Sequence, residues 1–229
     1  MKADTTQTSG SRKSFGRAWQ VKAKATAARL WRFHKAAVLL AAGAAALAIY
    51  FVGAWLSRPA DPALAVQFIN FYGDVSQTSA FSRGFSDFCG DTLTGPVVFD
   101  QNAFFDLTHA GDYTNNYYVK TVTYLEAGSR DGIVCGEKNI EGLAKSGRLM
   151  DLRDARTAAL YAAYPDRLWS VNYEGESIPV AIRLDGSFLP GMAQSKETSW
   201  YFAVSANVRH PAMAAQFVSY LFAGRPAGL

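Results

Sequence analysis

The sequence predicts a three-layer α/β domain with a mixed, mainly parallel sheet of about five strands, preceded by one transmembrane helix. Three observations carry this. Between residues 64 and 145 the apolar spacing passes three times from strand-like to helix-like, the pattern of strand–helix units on a parallel sheet. After Pro165 the pattern becomes a hairpin, which adds mixed strands at the sheet edge. Upstream, Ala36 to Leu56 reads "AAVLLAAGAAALAIYFVGAWL", with no charged residue and no Asn, Gln or Pro. At 229 residues the chain has room for one domain with a sizeable core, or two small ones.

The net charge of +4 conceals a division. Nine of the 23 Lys/Arg residues and one of the 19 acids fall in 1–35, which leaves a body of net charge −4. Residues 1–14 are polar and poor in apolar groups, the composition of a disordered leader. In 15–35, Phe15, Trp19, Ala23, Leu30 and Phe33 share a helical stripe flanked by Lys22, Lys24, Arg29 and Arg32. A basic amphipathic helix suits an anionic cytoplasmic leaflet. A tail held at a membrane has little access to nucleic acid, so nucleic acid is not expected as a partner.

Residues 36–56 match the roughly 20 apolar residues that span a bilayer core. Tyr50 and Trp55 lie toward the far end, and Arg58-Pro59 closes the segment. The basic excess precedes the run, so the N-terminus is expected in the cytoplasm and residues 64–229 outside. A single-pass protein of the cell membrane is expected on this ground. A cleaved signal peptide is the alternative, with "ALA" at 63–65 as its cleavage site, but its apolar core would span only about 7–15 residues.

Residues 57–63, "SRPADPA", form a linker. "AVQFINFYG" reads as a strand, and "TSAFSRGFSDFCG" as a helix on the spacing of Phe81, Phe85 and Phe88. "PVVFDQNAFFDL" reads as a long strand. A helix capped by Asp112 or Thr114 then runs to Glu126, with Gly128 as its stop. "DGIVC" is a short buried strand and "EKNIEGLAKSG" a helix; another helix covers about 154–164 before Pro165. "RLWSVNY" and "SIPVAIRL" flank a turn at Glu174-Gly175, "SWYFAVS" is a strand, and the last helix opens at Pro211.

Catalytic signatures are absent from the sequence: it has no G-x-S-x-G, P-loop, H-E-x-x-H or dinucleotide fingerprint. Asp106, His109 and Asp112 are spaced by three, yet a strand end followed by a helix cap accounts for them more simply than a metal does. No enzyme, cofactor or metal is therefore expected. Both cysteines, Cys89 and Cys135, fall in the outer part. A Cys89–Cys135 disulfide and two separate buried thiols both fit that placement.

"YLEAGSRDGIVCGEKNIEGLAKSGRLMDLRD" resembles the first lobe of the extracellular solute-binding proteins of ABC importers. The resemblance is carried by Gly128, Asp131, Ile133-Val134, Leu143-Ala144, Gly147, Leu149, Asp151-Leu152 and Asp154. "IPVAI" is similar to the strand that leaves that lobe, and "VSANVRHPAMAAQFVSYLFAG" to the helix that returns to it. The resemblance implies a single periplasmic-binding-protein-like lobe. Where a complete member has a second lobe, this chain has only "LDGSFLPGMAQSKET".

That departure removes one wall of the expected cleft. In sheets of this type ligands bind beyond the carboxyl ends of the strands. The candidate ligand contacts are then Tyr72, Asp74, Gln101, Cys135, Glu137 and Arg183; turn formation and helix capping are the simpler roles for these positions. The expectation is a non-enzymatic, membrane-anchored interaction module that docks onto a transporter or envelope protein. The alternative is a solute-capturing anchored component of an ABC importer, with a small solute as ligand.

Overall fold

The computed structural model describes residues 36–37, 39–55, 60–108, 113–191 and 197–223. The disordered leader, the amphipathic helix of 15–35, and the positions of His109 and Asp112 lie outside the described residues. The chain divides into two units, Met1–Pro59 and Ala60–Leu229.

In the first unit, residues 39–55 are helical and exposed, with Leu40, Ile49, Phe51 and Trp55 among the exposed apolar side chains. Among the described residues no helix is long and apolar enough to cross a membrane. Val38 and residues 56–59, which the sequence reading placed in or just beyond the span, lie outside the described residues.

The second unit is built on strands β1 (Leu64–Ile69), β2 (Val97–Ala103), β3 (Gly132–Gly136), β4 (Leu168–Tyr173), β5 (Glu176–Arg183) and β6 (Trp200–Val204). Its helices are α1 (Ala80–Cys89), α2 (Asn116–Glu126), α3 (Glu137–Lys145), α4 (Ala158–Ala163) and α5 (Pro211–Phe222). The strands form one sheet in the order β2-β1-β3-β6-β5-β4. β1 pairs in parallel with β2 and β3, whereas β3–β6, β6–β5 and β5–β4 are antiparallel.

The sheet is thus mixed, with six strands, and antiparallel pairings outnumber the parallel ones, contrary to the expected mainly parallel sheet of about five. The cause is β6, which inserts against β3 in the reverse direction. The strand–helix units themselves give only the two parallel pairings around β1.

Alternation sorts side chains onto two faces. Leu64, Val66 and Phe68 of β1, Val134 of β3 and Trp200, Phe202 and Val204 of β6 join one core, with Phe81 and Phe85 of α1 and Phe217 of α5. Phe217 lies within ring contact of Phe68, Phe81, Phe85, Phe99 and Phe202. Ile133 and Cys135 of β3 and Tyr201 and Ala203 of β6 face the other core, with Val122 and Leu125 of α2 and Ile140 and Leu143 of α3. A sheet covered by helices on both faces is the expected three-layer arrangement.

Local chemistry sets the element ends. Ser79 Oγ accepts from Ser82 N at 3.1 Å and caps α1. α2 begins at Asn115, whose side chain accepts from Tyr117 N at 2.8 Å, and not at Asp112 or Thr114. β1 ends at Ile69, earlier than its apolar run, because Asn70 turns the chain at a φ of 56°. α4 is confined to Ala158–Ala163, with a 3-10 turn at Pro165–Arg167. In the β4–β5 hairpin Glu174 and Gly175 both have positive φ, 51° and 88°, which is type I′ geometry.

At the amino ends of β1 and β3 sits Asp131, 2% exposed. Its carboxylate accepts from Ala65 N at 2.9 Å, Arg209 N at 3.0 Å and His210 N at 2.9 Å. His210 Nδ1 lies 3.3 Å away. One side chain therefore fastens β1 to the segment that opens α5, the late helix of the sequence pattern.

Candidate functional site

The carboxyl ends of β1, β2, β3 and β5 lie along one edge of the sheet, as their directions require. There the structure divides the sequence-predicted residues other than Cys135 into two groups and buries Cys135. Cys135 is fully buried on β3, in the core beneath α2 and α3. Burial, with the charge of Glu197, pushes its thiol well up.

Cys89 lies in the core on the opposite face, and both thiols are free. The Cys89–Cys135 disulfide is corrected on this ground. The sheet stands between the two side chains, whereas a disulfide needs Cα atoms within about 7 Å and facing Cβ atoms.

The first group surrounds the end of β1. Asn70 Nδ2 donates to the Phe105 carbonyl at 2.7 Å, and Asn70 Oδ1 accepts from Phe105 N at 3.1 Å, so the exits of β1 and β2 are fastened together. That clamp turns Tyr72 outward, 60% exposed, with its ring 5.9 Å from Phe104. Phe104 in turn meets Tyr117 at 6.1 Å, and these two are 39% and 45% exposed.

Asp74 accepts from Ser76 N at 3.0 Å, and the donors of Ser76 hold its carboxyl below the usual value. Gln101 Oε1 accepts from Val75 N at 3.4 Å. Asp74 and Gln101 therefore shape the loop after β1.

The second group lies toward β5. Glu137, first residue of α3, accepts from Trp169 Nε1 at 3.2 Å and from Tyr201 OH at 3.5 Å. Arg183 pairs with Tyr201 in the β5–β6 register and reaches Asp185 at 3.8 Å. Burial, then the Glu137 charge, raises the Tyr201 hydroxyl above its ordinary value.

Sequence reasoning missed Trp169 and Tyr201. Strand parity could have found Tyr201, since Ala203 two residues on faces the same core as Ile133 and Cys135. Nearby, Glu197 stands against Gly136, and burial and the Asp106 charge raise its carboxyl while Lys138 opposes them.

The described part of the β5–β6 connection, residues 184–191, is packed onto this domain. Leu184 N donates to Trp200 O at 2.8 Å, Phe188 N to Leu221 O at 2.7 Å, and Leu189 is buried. The Pro190 carbonyl occupies the space a side chain on Gly73 would need, so backbone meets backbone beside Tyr72. A cavity of about 450 Å³ lies elsewhere, between the end of α3 and the β4–β5 hairpin, lined by Ala144, Leu149, Val171, Tyr173, Ile178 and Val180.

Among the described residues no group of three or more His, Cys, Asp or Glu side chains is placed to hold a metal ion. No protein-family model, curated protein or solved structure matches the chain. The site is therefore judged on its own geometry: an exposed aromatic cluster at one end of the strand edge, and an internally bonded polar cluster at the other.

Proposed function

We propose that residues 64–229 form a non-enzymatic interaction module of solute-binding-protein ancestry, docking onto another envelope or transporter protein through the Tyr72–Phe104–Tyr117 cluster. The carrying observation is that three aromatic side chains, with Phe104 in ring contact with both Tyr72 and Tyr117, stay exposed near the strand ends. Aromatic side chains give large apolar area at little entropic cost, and they concentrate at the energetic centres of protein interfaces. The polar residues that would have held a solute at that end, Asp74 and Gln101, have intramolecular partners instead.

The anchor belongs to the same reading. The run 36–56 has the composition and length of a membrane span, and the charge difference across it directs the N-terminus to the cytoplasm. An anchored module meets its partner in the plane of the membrane, where a modest interface is sufficient.

Solute capture is the second reading. It is favoured by the convergence of Glu137, Tyr201, Trp169 and Arg183 on one face near the ends of β3 and β5. The two readings separate experimentally. A photo-crosslinker at Tyr72 in the full chain in cells should capture one defined envelope protein, and a crosslinker at Arg156 should not. Phe104→Ala should abolish that capture. Thermal stabilisation of the full chain by a sugar, amino acid or peptide, lost in Glu137→Gln or Arg183→Gln, would overturn the docking reading in favour of solute capture.

A further inference from the structure

The sheet has two outer strands, and they are guarded differently. β2, at one end, is preceded by Pro96, carries Asp100 in its middle, and meets β1 through a register shift. Pro, charge and irregularity are the devices that keep a sheet edge from pairing with another chain. Asp100 is further engaged, with Arg130 Nη2 at 3.0 Å and the Asn102 N–H at 2.9 Å.

β4, at the other end, has none of these. Leu168–Tyr173, "LWSVNY", contains no charge, proline or glycine, and pairs only with β5. The irregularity in that pairing is an extra residue on β5, because the register passes from Ala181 to Pro179 while β4 runs on without a gap. β4 therefore keeps regular alternation and a straight outer edge. Trp169, Val171 and Tyr173 face one side and Ser170 and Asn172 the other.

The strand is also complementary to itself. Opposed residues in an antiparallel pair share a face, so two copies of β4 can pair only in registers whose residue numbers sum to an even value. With Val171 opposite Val171 of the second copy, Trp169 stands opposite Tyr173 twice on the apolar face. Ser170 then stands opposite Asn172 twice on the polar face. Aromatic cross-strand pairs and hydrogen-bonding polar pairs are the favourable combinations.

We propose that the chain forms a two-fold dimer through antiparallel pairing of β4 with β4 of a second copy, in the register centred on Val171. The axis stands normal to the sheet, and the two six-stranded sheets become one continuous sheet. The apolar recesses beside each β4, lined by Val171, Tyr173, Ile178 and Val180, then lie side by side. This inference does not rest on the docking role of the Tyr72 cluster, which lies at the carboxyl ends of β1 and β2.

The test uses the full chain in detergent micelles. Sedimentation should show a protein mass of twice 24.9 kDa. Ser170→Cys and Asn172→Cys are exposed substitutions that spare the core. Mixed under mild oxidation, they should give about tenfold more disulfide than either alone, because only the mixed pair brings Cβ atoms within about 4.5 Å. The double variant Ser170→Lys/Asn172→Lys sets like charges opposite each other twice and should weaken the dimer by about tenfold or more, with an unchanged urea midpoint for the dilute monomer. A chain that stays monomeric, a dimer unaffected by the two lysines, or mixed disulfide no more abundant than self-pairing would each overturn the proposal.

Discussion

Replacing Asp131 with Ala should cost about 3–5 kcal/mol of folding stability, although the residue lies at the sheet edge away from the candidate site. The figure follows from what the carboxylate holds. Three backbone N–H groups donate to it: Ala65, buried at the start of β1, and Arg209 and His210 at the entry to α5. Removing the acceptor takes the partner from the N–H of buried Ala65, at about 1–3 kcal/mol. The other two donors are partly solvated and recover some of their loss, so each adds about 0.5–1.5 kcal/mol.

Asp131→Asn separates the contributions. Its single carbonyl can serve Arg209 and His210 together or Ala65 alone, and its amide then presents a donor to a donor, so about half the loss should remain. The assay is urea unfolding of the full chain in detergent, followed by tryptophan fluorescence, with the slope compared between variants. An Asp131→Ala midpoint within about 1 kcal/mol of wild type at equal slope would refute the clip.

Phe217→Ala should lower stability by about 3–5 kcal/mol in the same assay, since it empties a position surrounded by five rings. Thiol counting without reductant should find both cysteines free after denaturation and unreactive before it, because burial raises both thiols; one disulfide per chain would contradict the opposite-face placement. Asp100 gives a pH dependence. Burial raises its carboxyl, but the Asn102 N–H, the Arg130 guanidinium and Lys120 together outweigh that and set it below 3.8. A depressed carboxyl contributes stability that is full above 3.8 and lost as pH falls through the folded value, so Arg130→Gln should flatten the acid limb of a stability–pH curve. Gly73→Ala should destabilise by about 1–3 kcal/mol, because the new Cβ meets the Pro190 carbonyl; unchanged stability would show that the loop does not press on the strand end.

Periodicity made the elements legible and left their pairing undetermined. The burial of β1, β3 and β6 on both faces could be read because their apolar residues run on without a polar phase, as central strands require. Hairpin β4–β5 was legible from strict alternation around Glu174-Gly175. The direction of β6 was not, because a five-residue apolar strand reads identically in either direction and its partner β3 is about 70 residues away. The ends of β1 and α2 were misplaced for a local reason: Asn70 and Asn115 use their side chains to stop one element and start the other, overriding the apolar run and the nearer candidates for the cap.

The candidate site was half legible for a related reason. The rule that ligands meet strand ends pointed to Tyr72, Glu137 and Arg183, which lie along one edge of the sheet, because direction follows once the parallel units are recognised. It could not distinguish an outward side chain from an inward one. Cys135 precedes the strand end by a single residue, and parity alone sends it into the core with Ile133, while Glu137 begins a helix and stays at the rim. Nor could it show how the connection between β5 and β6 packs. Phe188 and Leu189 turn that connection back onto the domain, and Pro190 closes against Gly73. Just beyond this contact the aromatic side chains of Tyr72, Phe104 and Tyr117 stay exposed. On the proposed docking reading, Gly73→Ala, by pushing Pro190 away, should alter capture at Tyr72 before it alters anything at Glu137.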